Sequence, residues 1–137
     1  MREYEIKAES VSGGDANAFV KQTTVGFDAA SEDKGILPNP AELLLMSFSA
    51  CVLKNVERYS QRLHLPYRKA RVVVKGYRTD VPPVITKIEY VLEIDTDVED
   101  KKLNVWHKNI LKFGTITNTM MKAAEVSGII KRMGGDE

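Results

Sequence analysis

The sequence predicts an α+β domain in which antiparallel hairpins flank one long central helix. Three observations predict it: short alternating runs on either side of the chain's middle, a capped apolar helical run beginning at Asn39, and a second amphipathic helix beyond the last hairpin. The chain has 137 residues, 43% of them apolar and 28% charged, which suits one domain, residues 1–137, with a core of its own.

Taken in order, Glu3 to Ser10 alternates charged with apolar or small side chains, the period of a half-buried strand. Ser12-Gly13-Gly14-Asp15 reads as a turn, which makes Asn17 to Gly26 its hairpin partner. Ser31 to Gly35 reads as an exposed loop. Asn39 then opens the central helix, expected over 39–64: it caps the free amides, Pro40 suits the first helical position, and Glu42 completes a capping box. From Leu43 to Leu53 the only polar side chains are Ser47 and Ser49, so this half is expected to be covered on all sides. Beyond it Val56, Tyr59 and Leu63 keep helical spacing among Lys54, Asn55, Glu57, Arg58, Gln61 and Arg62, so the helix should end at the surface. Pro66 stops it.

Lys69 to Tyr77 reads as a strand, and Thr79 to Pro83 as its connection to Thr86–Asp95. There Ile88, Tyr90, Leu92 and Ile94 share one face, the clearest amphipathic strand in the chain. Asp97 to Asp100 gives an acidic start to a second helix with Leu103, Trp106, Ile110 and Leu111 on one side. Gly114 breaks it, and Thr115 or Thr117 is placed to cap a short third helix. A last short strand is expected around Val126–Ile130, with 133–137 as a frayed tail. A helix apolar all round needs more cover than two hairpins give, and a symmetric homodimer would supply it.

The totals exclude several classes. A net charge of +1 gives no electrostatic case for nucleic acid or an anionic membrane. The apolar run is far shorter than the roughly 18 residues of a membrane span. One cysteine forbids an internal disulfide, and with two histidines it builds no self-contained zinc site. The glycine pairs Gly13-Gly14 and Gly134-Gly135 match no phosphate-binding loop, so no cofactor is called for. No basic, then apolar, leader opens the chain, and a cytoplasmic protein is the expectation.

Asn39-Pro40-Ala41-Glu42-Leu43-Leu44, leading into Ser49-Ala50-Cys51, resembles the characteristic helix of the OsmC-like proteins, which include osmotically inducible protein C and the organic hydroperoxide resistance proteins. Phe113-Gly114-Thr115-Ile116-Thr117-Asn118-Thr119 is similar to that family's second motif, and the likeness extends over about residues 36 to 130. The resemblance implies a two-layer α+β fold, with the buried central helix packed on antiparallel sheet and two chains intertwined as a homodimer. It also implies thiol-dependent reduction of organic hydroperoxides at the dimer interface. Cys51 matches the attacking cysteine. Gly114 stands where the resolving cysteine would be, and Thr115 replaces the usual proline. The assisting glutamate's position is Ala41, with Glu42 about 100° further round the helix. The family's arginine has no counterpart between residues 3 and 57.

Two readings of Cys51 follow. It is a small buried hydrophobe, or it is a peroxidatic thiol whose sulfenic acid is resolved by an external thiol. The second needs a cation, for which Lys21, Lys54 and Arg58 are candidates. Met46, Phe48 and Met120 are plain core or line an apolar pocket near Cys51. The pocket's expected partners are a small apolar organic molecule or a low-molecular-weight thiol. A non-catalytic binding protein using that pocket is the alternative function, and a purely structural dimer a third. His64 reads as a solvated or capping residue, and His107, beside Trp106, as a surface one. The positive charges of Lys69, Arg71, Lys75 and Arg78 read as a solvated strand face.

Overall fold

The structure is a computed structural model that describes residues 1–134; of the expected tail, residues 135–137 lie outside the described part. The chain divides into two compact units, one ending at Leu44 and one starting at Leu45.

In the first unit, β1 (Lys7–Ser10), β2 (Ala16–Val20) and β3 (Thr23–Phe27) form an antiparallel meander in that order. Gly13 takes a φ of 70° in the first turn, a conformation open to glycine at no steric cost. The stretch expected as one strand, Asn17 to Gly26, is instead two strands. Val20 pairs with Thr23 across a two-residue turn in which Lys21 takes a φ of 53°. Neither Lys21 nor Gln22 is a residue that announces such a turn, so the alternation across it looked continuous. The loop that follows is closed by the Asp28 amide donating to the Pro38 carbonyl at 2.9 Å. Asp28 accepts from the amides of Lys34 and Ala30, which hold its carboxyl below the usual range.

The long helix α1 runs from Pro40 to Leu63. Its capping box forms as read: the Glu42 amide donates to Asn39 Oδ1 at 2.9 Å, and the Asn39 amide to Glu42 Oε1 at 3.0 Å. At the other end His64 takes a φ of 57°, and the Leu65 amide returns to the Ser60 carbonyl at 2.9 Å, a Schellman closure. His64 is thus a capping residue. Along α1 the buried side chains are Phe48, Val52, Asn55, Val56 and Tyr59, one stripe that continues past the apolar run. Cover on all sides is not met within one chain: Met46 is 52% exposed, and Ser47 and Ala50 also face outward.

In the second unit, β4 (Lys69–Asp80) and β5 (Pro83–Asp95) form a long hairpin joined by Val81-Pro82. Ile88, Tyr90, Leu92 and Ile94 are buried, as their alternation requires, while Lys69, Arg71, Lys75 and Arg78 are exposed. The helices α2 (Asp100–Phe113) and α3 (Thr115–Met121) carry the chain back to β6 (Glu125–Arg132). Because two helices intervene, β6 returns parallel to β5, and this sheet is mixed rather than purely antiparallel. Trp106 of α2 is fully buried and donates its Nε1–H to the Val56 carbonyl of α1 at 3.1 Å. Burying that indole contributes on the order of 4 kcal/mol.

Candidate functional site

The second unit brings the two motifs of the sequence together. Cys51 lies on α1, partly exposed, and Gly114 is the buried residue between α2 and α3. A Cβ built on Gly114 would lie 2.9 Å from Cys51 Sγ and 3.3 Å from Asn55 Nδ2, and would collide with Thr117 Oγ1. The backbone of Gly114 is extended, with φ −81° and ψ 125°, so its dihedrals admit any residue. The neighbours, not the backbone, demand the missing side chain.

Thr117 explains the crowding. Its fully buried hydroxyl donates back to the Gly114 carbonyl at 2.9 Å and lies 3.2 Å from the Leu111 carbonyl. The expected threonine cap is therefore absent. Thr115 is already the first helical residue of α3, and the Thr117 hydroxyl serves carbonyls rather than free amides.

Asn55 completes the group. It follows Cys51 by four residues, one helical turn, so the two share a face. Its Nδ2 donates to the Cys51 carbonyl at 2.9 Å and faces Sγ at 3.7 Å, while Oδ1 has no partner among the described residues. The sequence reading set Asn55 on the polar face. The available signal was its i+4 spacing from the single cysteine, which places it on the buried stripe with Phe48, Val52 and Tyr59.

The expected pocket residues differ in exposure. Phe48 is 0% exposed, its ring tilted against Tyr90 at a centroid distance of 5.8 Å, so it is part of the core. Met120 is buried in α3, and Met46 faces outward. Concavities of about 430, 340 and 250 Å³ lie on the outer face of the β4–β6 sheet, beside Pro66 and Asp97, and beside the Asp28 loop, and Cys51 lines none of these. Among the candidate cations, Lys21 sits in the β2–β3 turn rather than within a strand. Lys54 is exposed and Arg58 half-buried, and among the described residues neither is in an ion pair.

His107 is not a surface residue. It is half-buried, and its Nε2 meets the Tyr90 hydroxyl at 2.5 Å. Burial pushes the Tyr90 phenol up to about 12 and lowers the His107 imidazole, so the pair is a neutral hydrogen bond. Tyr90 also lies over Gly128, its partner on β6, where a side chain would collide with the ring. Among the described residues no cluster of three or more His, Cys, Asp or Glu is placed to hold a metal ion. No helix among them is long and apolar enough to cross a membrane.

Comparison with known proteins bears on this arrangement. Residues 31–127 match the family model described as OsmC-like protein. An OsmC like protein from Mycoplasma pneumoniae superposes with a TM-score of 0.87 at 17% identity, covering 97% of this chain and 99% of that one. A putative osmotic stress induced and detoxification response protein from Psychrobacter arcticus gives 0.82 at 15% identity, with 96% and 98% covered. The organic hydroperoxide resistance protein OhrB of Bacillus subtilis gives 0.68 at 13% identity, with 93% and 96% covered. At these identities the likeness concerns the fold. A comparison with curated protein sequences gave no match.

Proposed function

The chain belongs to the OsmC-like protein family, and from that premise we propose that it reduces organic hydroperoxides through Cys51 alone, with an external low-molecular-weight thiol as reductant. The observation that carries this reading is that the position a Cβ would take on Gly114 lies 2.9 Å from Cys51 Sγ. The second motif reaches the sulfur but brings no side chain to it. The thiol is therefore flanked by a bare backbone and an amide, with no sulfur of its own chain to resolve it. Names among the structural neighbours, such as organic hydroperoxide resistance protein, point the same way.

The chemistry balances in two stages. Cys51 as thiol and a hydroperoxide, ROOH, give the sulfenic acid Cys51–S–OH and the alcohol ROH. Two external thiols then return Cys51 to the thiol, releasing water and their own disulfide. A reducing cytoplasm would supply that thiol, and we place the protein there. Met46, exposed on an otherwise apolar stretch of α1, supports a homodimer whose interface holds the organic group of the substrate beside Cys51.

The second reading, a non-catalytic binding protein for an apolar or thiol-bearing small molecule, is favoured by one observation. Among the described residues, neither Lys54 nor Arg58 is held in an ion pair that would fix it for catalysis. Turnover separates the two. With cumene hydroperoxide and an excess of a monothiol, the protein is expected to consume many equivalents of peroxide and Cys51→Ser none above background. Equal rates for the two proteins would leave the binder as the better account.

A further inference from the structure

The outer face of the β4–β6 sheet carries a second candidate site, independent of Cys51. In β5, Ile88, Tyr90, Leu92 and Ile94 are buried on the inner face, where Tyr90 packs on Phe48 of α1. Glu89, Val91 and Glu93 alternate with them and so point to the other side. There the register sets three apolar side chains in one row: Val73 of β4, Val91 of β5 and Ile129 of β6. Val73 is 52% and Ile129 56% exposed, so the row is uncovered. It crosses three strands, about 10 Å. The adjoining row is polar and consists of Lys75, Glu89 and Ser127. Beyond it stands Tyr77, with the Lys87 ammonium 5.3 Å from its ring centre. The concavity of about 430 Å³ lies among these side chains, a size that suits a small molecule.

Charge decides what fits. Glu89 is the one carboxylate lining the concavity, and Lys87 Nζ lies 3.8 Å from its Oε1. The Tyr77 hydroxyl, then Lys87 and Lys75, hold that carboxyl below its usual range, so it is charged and already answered. Glu93, beyond the apolar row, is paired with Arg71 at 3.1 Å. Lys75 is the other charge of the lining, and among the described residues it is in no ion pair. The spare charge is therefore positive, and it borders an exposed apolar row. A second copy is a poor cover for this face. Stacked sheets keep their strands within about 30° of each other. A two-fold axis through Val91 then sets Glu89 and Glu93 against the same carboxylates of the copy.

We propose that this concavity binds an apolar monocarboxylate, with its carboxylate on Lys75 Nζ and its hydrocarbon chain across Val73, Val91 and Ile129. Lys75 follows Val73 by two residues on β4, so a head group held there lets the chain run over β5 to β6. The carboxylate supplies the charge that the lining lacks, and the chain covers the row that water otherwise meets.

Octanoate is the probe, titrated into isotope-labelled protein and followed by two-dimensional NMR. The amides of Val73, Lys75, Val91 and Ile129 are expected to shift and saturate. Octylamine, with the same chain and the opposite charge, is expected to bind about five-fold more weakly or worse. Lys75→Met keeps an unbranched apolar stem and removes the charge, and it should weaken octanoate about five-fold. Its own spectrum reports whether it folds, and if it does not, the comparison of the two probes on the wild type decides alone. Affinities for octanoate and octylamine within about two-fold of each other overturn the proposal, as does a change below about two-fold in folded Lys75→Met. Shifts confined to other residues overturn it as well. Amides of this face that move with protein concentration and not with octanoate assign it to a second copy and also overturn it. None of these outcomes depends on whether Cys51 reacts.

Discussion

At Gly114 one absent carbon decides which chemistry is open to Cys51. In a disulfide each Cβ sits about 3 Å from the partner's sulfur, given the fixed S–S length and bond angles. The Cβ position at 114 is 2.9 Å from Cys51 Sγ, so one distance that a cross-link requires is met without its second sulfur. Thr117 Oγ1 occupies the remaining space. Gly114→Cys alone should therefore destabilise the fold by about 1–3 kcal/mol through overpacking. Gly114→Cys combined with Thr117→Ala should fold and, on mild oxidation, lose both titratable thiols with a mass loss of two hydrogens. Two free thiols persisting in the double variant would show that the facing is not close enough. Cys51 and Gly114 were legible in the sequence because each falls on a recognisable motif. Asn55 and Thr117 were not. A polar residue at helical spacing does not say whether it faces water or a neighbouring backbone, and only the α2–α3 corner decides it.

Between elements, the Tyr90–His107 hydrogen bond ties β5 to α2. The alternation of β5 predicted that Tyr90 is buried, but nothing in the sequence showed where its hydroxyl finds a partner. His107 follows the buried Trp106 by one residue, about 100° round the helix. That rotation still leaves it on the edge of the packed face, within reach of a side chain as long as tyrosine. Burial lowers the folded pKa of His107 below its ordinary 6.5, so the unfolded chain binds the extra proton first. The contribution of the pair is whole above about pH 6.5, declines as the pH falls below it, and is gone once the pH has passed the folded value. Thermal melting should therefore show stability falling from pH 7 towards pH 5. Tyr90→Phe should cost about 1–2 kcal/mol at pH 7 by leaving Nε2 unmet. The double variant Tyr90→Phe/His107→Leu should recover most of that loss and flatten the pH dependence. A double variant as pH-sensitive as the wild type would place the titration elsewhere. The second misreading at this scale, the single strand drawn through Lys21, has a different cause. A turn whose left-handed residue is lysine carries no glycine or asparagine to mark it.

For the whole molecule, element order and the capped central helix were enough to read the α+β class. The two-unit division and the parallel return of β6 were not, because pairing partners are set by long-range packing that local periodicity does not record. Exposure of Met46, Ser47 and Ala50 on the apolar half of α1 leads to a prediction at this scale. Size-exclusion with light scattering should return twice the mass of one chain at micromolar concentration, and Met46→Glu should shift it towards the monomer. A stable wild-type monomer would remove the interface that the proposed substrate site requires. The central claim, that Cys51 alone is the reacting group, is tested most directly by intact-protein mass spectrometry after one equivalent of cumene hydroperoxide with a sulfenic-acid trap present. The account predicts a single trapped adduct, mapped to Cys51, within seconds and absent from Cys51→Ser. An unmodified mass after minutes, with the hydroperoxide still intact, would contradict it.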